Sequence, residues 1–127
     1  MSRPLRIQYS GAIYHVSARG NERKRVFWEK MGYEQFLNVL EKACERFSLK
    51  IYSFVLMTNH FHLLIKETSP QGISKFMHKL QLGYTGYFNK KYHRSGSLFE
   101  GTFKAEHVDS DVYLKYLYAY IHLNPIG

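Results

Sequence analysis

Apolar and polar positions alternate in "AIYHVSAR" (residues 12–19), with Ile13, His15 and Ser17 on one side and Tyr14, Val16 and Ala18 on the other, so a first strand is expected. The period then lengthens. Tyr33, Phe36, Leu37, Leu40, Cys44 and Phe47 recur at the spacing of one helix face and predict an amphipathic helix over about 32–47. The run "KIYSFVLM" (50–57), the turn-prone pair "TN" and then "HFHLLIKE" predict two adjacent antiparallel strands. Ser69 and Pro70 form an N-cap and first-turn signature ahead of Ile73, Phe76, Met77, Leu80, Tyr84, Tyr87 and Phe88, a second long helix whose last turns Gly83 and Gly86 are expected to weaken. Beyond the glycine-punctuated "HRSGSLFEG", "TFKAEHV" (102–108) predicts a fourth strand. Asp109 or Asp111 then caps a last helix that runs to Asn124, because Pro125 disfavours helical geometry at the residue before it.

The order β, α, β, β, α, β, α predicts an α+β fold: a ferredoxin-like antiparallel sheet (β-α-β-β-α-β) with helices on one face and a further C-terminal helix. With 127 residues, no repeat and no separating linker, one domain spanning 1–127 is expected.

Two positions break the apolar logic of this pattern. In "LMTNHFHLLI" (56–65) His60 and His62 project to one side of a strand, about 7 Å apart along it, while Phe61, Leu63 and Ile65 point the other way. Such a pair is either two hydrogen-bonded structural histidines or two ligands of one metal ion, and the second reading needs a third ligand. The last helix carries Leu114, Leu117, Tyr118 and Ile121 on an apolar stripe, with Tyr113, Tyr116, Tyr120 and Asn124 along its edge. Tyr120 and Asn124 lie one turn apart, so a phenol and an amide oxygen can reach the same point; equally, edge tyrosines serve packing, and asparagine before proline serves as a cap.

Composition narrows the partners. Eighteen Lys plus Arg against ten Asp plus Glu leave a net charge of +8, which attracts polyanions and makes nucleic acid the first partner to consider. The charge gathers in "ARGNERKR" (18–25) and in "NKKYHR" (89–94), where Tyr92 interleaves with it as a stacking face does in single-strand binders. Cys44 is the lone cysteine, so no intrachain disulfide can form. The N-terminal "MSRPLRIQYSG" lacks the apolar region of a signal peptide and no segment approaches a membrane span, so a cytoplasmic location is expected.

"LMTNHFHLLI" resembles the histidine-hydrophobic-histidine (HUH) motif of single-strand DNA endonucleases, and "YIHLNP" (120–125) resembles the catalytic-helix signature of the IS200-like single-tyrosine transposases, especially the REP-associated tyrosine transposases. "ARGNERKRVFW", "HRSGSLFEGTFKAEHV" and the order of segments are similar to that family too, over essentially the whole chain. The resemblance implies that His60 and His62 bind a divalent metal, Mg2+ or Mn2+, that Tyr120 is the nucleophile, and that Asn124 completes the metal site. It implies cleavage of single-stranded DNA beside a hairpin folded from an imperfect palindrome, through a 5′-phosphotyrosine. Arg19, Arg23, Lys24 and Arg25 in and beside the first loop, Lys104 on the fourth strand, and Lys75 and Lys79 on the second helix are the expected DNA-binding residues. Relatives occur as homodimers and as monomers.

Two other classes compete. A non-catalytic domain binding single-stranded DNA or RNA hairpins would keep the scaffold without the chemistry. A zinc hydrolase would need a carboxylate beside the histidine pair, for which Glu67 and Glu106 are the nearest by strand position.

Overall fold

A computed structural model describes residues 13–67 and 72–108; the cap at Ser69 and Pro70 and the last predicted helix, with Tyr120 and Asn124, lie outside the described residues. The elements run β1 (Ile13–Arg19), a short 3-10 turn (Asn21–Arg23), α1 (Lys30–Phe47), β2 (Leu49–Met57), β3 (His60–Glu67), α2 (Gly72–Tyr92) and β4 (Lys104–Val108). The sheet order is β2-β3-β1-β4, and every neighbouring pair is antiparallel. Strands β1 and β2 therefore run the same way on either side of β3, joined by α1, while β3 and β4 flank β1 and are joined by α2. These two interleaved crossovers are the expected ferredoxin-like arrangement.

One sheet face is buried beneath the helices. Tyr14, Val16 and Ala18 of β1 and Phe61, Leu63 and Ile65 of β3 pack there with Phe36 and Leu40 of α1 and with Ile73, Phe76, Met77, Leu80, Tyr84 and Phe88 of α2. The Phe36 and Phe61 ring centres lie 4.8 Å apart, a direct packing contact between helix layer and sheet. On the other face Val55, Leu64 and Val108 form a separate apolar cluster, joined by Ile13 and Met57. Strand β2 reaches both clusters through a bulge. Ile51 pairs with Ile65, but Ser53 pairs with Leu64, so one extra residue rephases the strand. After it Val55 stands opposite His62, while Leu56 stays in the main core opposite Phe61. The β-branched and aromatic run 50–57 predicts the strand but carries no sign of the bulge.

Helix α2 runs, as expected, through Gly83 and Gly86, and it continues past Phe88 to Tyr92. A Cβ at Gly83 would stand 2.9 Å from Val39 Cγ1, so glycine here lets α1 and α2 approach closely, and the packing of Tyr84 and Phe88 outweighs its poor helix propensity. Strand β4 is shorter than expected and begins at Lys104.

The segment between β1 and α1 is folded tightly against the β2–β3 turn. The Gly20 amide donates to the Asn59 carbonyl at 2.9 Å, and the Val26 and Phe27 amides donate to the Thr58 carbonyl at 2.8 and 3.1 Å. A Cβ at Gly20 would collide with the Lys24 carbonyl oxygen and sit 2.8 Å from Val26 Cγ1. From the helix layer, the buried Tyr84 hydroxyl donates to the Val26 carbonyl at 2.6 Å. Among the described residues no helix is long and apolar enough to cross a membrane.

Gly20→Ala is expected to lower stability by about 1–3 kcal/mol in urea unfolding, because backbone rather than a mobile side chain blocks the added methyl group. Tyr84→Phe is expected to cost about 1–2 kcal/mol in the same measurement, through loss of the hydrogen bond to Val26.

Candidate functional site

Because β1, β3 and β4 alternate in phase, the residues facing away from the helices gather from three strands. Ser17 stands opposite both His62 and Lys104, Arg19 opposite His60, and His15 opposite both Leu64 and Glu106. His60 and His62 thus share the face they were expected to share. Their ring centres lie 5.0 Å apart with the planes at 86°. They line a pocket of about 380 Å3 with Ser17, Ala18, Arg19, Arg23, Asn59, Glu100, Thr102 and Lys104.

Each imidazole is held through its Nδ1. His60 Nδ1 lies 2.7 Å from Asn59 Oδ1, and His62 Nδ1 lies 3.0 Å from His15 Nε2, with the His15 and His62 rings stacked at 5.1 Å. Among the described residues nothing hydrogen-bonds either Nε2. Burial, then the Arg19 charge, lowers the His60 pKa from its ordinary value. Burial first, then His15 and His60, lowers that of His62 to about 4. Both rings are therefore neutral at physiological pH, the form that donates a lone pair to a metal without first releasing a proton.

The two imidazoles have the donor chemistry and the spacing for one shared metal ion but do not by themselves complete a site. Two imidazoles bound to one ion at about 2.1 Å through Nε2 place their ring centres roughly 5 Å apart for bond angles between octahedral and tetrahedral. Among the described residues no group of three or more His, Cys, Asp or Glu is arranged to hold a metal, so a third side-chain ligand from those residue types is not in place there. Glu106 Oε1 approaches His15 Nδ1, at 3.6 Å, and Glu67 closes the far end of β3 opposite Leu49.

Of the expected DNA-binding residues, the structure brings Arg19, Arg23 and Lys104 to the histidine pocket. Arg19 Nε and Nη2 bond the two carboxylate oxygens of Glu100, at 3.0 and 3.3 Å, which leaves further guanidinium donors for another anion. Lys24 and Arg25 are exposed farther along the same loop, where Lys24 pairs with Glu22 at 3.1 Å. Lys75 and Lys79 are exposed on α2, in the helix layer on the opposite side of the sheet from the imidazoles. Tyr120 and Asn124 lie outside the described residues.

Sequence reasoning passed over His15, Asn59 and Glu100. His15 was on the right face by alternation, but only the β1–β3 pairing puts it beside His62 rather than elsewhere on the sheet. Asn59 read as a turn residue, and Glu100 sat in a glycine-rich loop whose contact with Arg19 follows from the Gly20–Phe99 bridge. A larger apolar groove, about 660 Å3 between α1 and β2, contains Cys44, whose thiol is pushed up to about 11 chiefly by burial and is thus a poor nucleophile.

The chain resembles known proteins in both sequence and structure. The family model described as Transposase IS200 like matches residues 8–124. A solved structure of a REP-associated tyrosine transposase bound to a REP hairpin superposes with a TM-score of 0.81 at 15% identity, covering 98% of this chain and 73% of that one. A candidate transposase from Deinococcus radiodurans R1 superposes with a TM-score of 0.65 at 16% identity, covering 99% of this chain and 100% of that one. At such identities the two structures speak for the fold. Among curated proteins no significant match was found. The family match spans nearly the entire sequence, including both the paired histidines of β3 and the segment that carries Tyr120, and by it the chain belongs to the IS200-like transposases.

Proposed function

We propose that this transposase cleaves and rejoins single-stranded DNA beside a hairpin, with Tyr120 as nucleophile and with His60, His62 and Asn124 as ligands of Mg2+ or Mn2+. The observation that carries the proposal is the pair of neutral imidazoles whose Nε2 atoms have no partner among the described residues, set with ring centres 5.0 Å apart in a pocket that Arg19, Arg23 and Lys104 also line. A cation-binding pair ringed by phosphate-binding side chains suits a scissile phosphodiester. The hairpin-bound relative of the same fold supports a hairpin as substrate.

When bound, the divalent ion supplies a Lewis acid that polarises the scissile phosphate and offsets negative charge developing on it. The rest falls to the chain. Tyr120, with an unperturbed pKa near ~10, attacks phosphorus through its phenol oxygen and gives up its proton as the new P–O bond forms. The bond to the 3′ oxygen breaks and that oxygen leaves as a protonated hydroxyl. The product is a 5′-phosphotyrosine with a free 3′ end, and attack by another 3′ hydroxyl reverses the step on a different strand. One phosphodiester is exchanged for another, so no ATP is required.

The cluster of Val55, Leu64 and Val108 neighbours the imidazoles on the same face, and to it we assign the apolar stripe Leu114, Leu117, Tyr118 and Ile121 that the sequence predicts. Arg19, Arg23 and Lys104 are the phosphate contacts we favour at the reaction centre, with Lys24 and Arg25 following along the loop; Lys75 and Lys79 face away from it and are assigned at most to a distant part of the hairpin. A cytoplasmic site of action agrees with such a substrate.

Tyr120→Phe is expected to abolish the denaturation-resistant protein–DNA adduct formed with labelled hairpin oligonucleotides and Mn2+, while leaving hairpin affinity within about threefold, since one hydroxyl adds little to binding. An adduct that persists in this variant would refute the nucleophile. Affinity of the wild-type protein should fall with salt at a log–log slope of about −3.5, from about five phosphate contacts on single strands. A slope near zero in fluorescence anisotropy titrations would remove the phosphate-contact assignment.

A further inference from the structure

We propose that Asn59 and His15 are positioning residues that fix the tautomers of the two imidazoles, so that His60 and His62 both present a lone pair at Nε2. The proposal rests on the metal-binding role assigned above to this pair, and deepens it.

The argument begins with the orientation of one amide. Asn59 Nδ2 donates to the Arg23 carbonyl at 3.3 Å, a bond that the amide oxygen could not make. Oδ1 must then face His60 Nδ1, at 2.7 Å, and an oxygen there can only accept. The proton of neutral His60 therefore sits on Nδ1 and its lone pair on Nε2.

A parallel chain serves His62. The Glu106 carboxylate lies 3.6 Å from His15 Nδ1, too long for a full hydrogen bond but close enough to favour a proton on that nitrogen. With its single proton on Nδ1, His15 has Nε2 free to accept from His62 Nδ1, 3.0 Å away. His62 in turn is left with its lone pair on Nε2. Two relays, one through Asn59 and the basic loop and one through His15 and β4, thus favour the same tautomer on both rings. Partners that hold the non-coordinating nitrogen of a metal-binding histidine typically account for 10–100-fold in metal affinity.

The loop relay also joins the two halves of the site. Arg23 lines the pocket, and its own carbonyl orients Asn59, which orients His60. Both Glu22 and Arg23 adopt left-handed backbone angles, φ 56 and φ 60, which turn the loop at this point. Gly20 bonds the Asn59 carbonyl in addition, so the turn is held by its backbone as well as by its side chain.

The test uses the full-length protein without metal, with histidine ring nitrogens read by long-range 1H–15N NMR at neutral pH. Wild type should show the Nδ1–H tautomer at both His60 and His62. Asn59→Ala should mix the His60 tautomers and leave His62 unchanged. His15→Phe, which keeps a ring to stack, should do the converse. Asn59→Asp retains an acceptor and should restore the His60 tautomer. Mn2+ affinity, followed by EPR, should fall about tenfold in Asn59→Ala and in His15→Phe and largely recover in Asn59→Asp. An Nε2–H tautomer in wild type, or tautomers and Mn2+ affinity that both alanine and phenylalanine variants leave unchanged, would overturn the relays. Mn2+ affinity unaltered by His60→Ala and His62→Ala would instead overturn the metal site on which they rest, whatever the tautomers show.

Discussion

Burial of Phe61, Leu63 and Ile65 beneath α1 and α2 is the constraint on which the remaining architecture depends. Side chains of a strand alternate, so once these three face the helices, His60 and His62 have to face away from them. A slip of one residue in the β1–β3 ladder would bury the imidazoles among Phe36 and Tyr84 and expose three large apolar side chains, which makes the register energetically unambiguous. The functional face is therefore held in place by atoms that take no part in it. Six more apolar residues of α2, from Ile73 to Phe88, supply the cover that makes the burial worthwhile.

The same sheet explains why a loop and a turn distant in sequence work together. The Val26 and Phe27 amides converge on the Thr58 carbonyl, the Gly20 amide takes the Asn59 carbonyl, and Tyr84 reaches out of the helix layer to Val26. A cationic loop would otherwise be pushed outward by its own charge, with Arg23, Lys24 and Arg25 in succession. Directional backbone bonds outweigh that repulsion at the surface, where water screens charges strongly. Arg23 is thereby kept at the edge of the histidine pocket.

Electrostatically, the site combines groups that would not assemble around a bare cation. Arg19 and Lys104 would oppose the divalent ion proposed for His60 and His62, while Glu100, which also lines the pocket, is engaged by Arg19. In the proposed reaction a phosphate would resolve the conflict, because its charge attracts both the ion and the surrounding cations. Burial contributes by keeping both imidazoles neutral, the form that the proposed metal binding requires.

What the sequence determined by itself was whatever local period and composition encode. The alternation of 12–19, the helical spacing from Tyr33 to Phe47 and the order of elements were enough for the ferredoxin-like fold, and "HFH" within an apolar strand was enough to set His60 and His62 on one side. Net charge and the family motifs pointed to DNA. Only the tertiary structure decided which strands lie beside β3, and hence that His15 stacks on His62, that Asn59 holds His60, and that Arg19, Arg23 and Lys104 share their pocket whereas Lys75 and Lys79 do not. It likewise decided the bulge in β2 and the passage of α2 through Gly83, where the nearness of Val39 gives glycine a packing role. The physical reason is the same throughout: alternation and helical spacing are properties of neighbouring residues, whereas strand register and close approach are set by long-range pairing that residue order does not display.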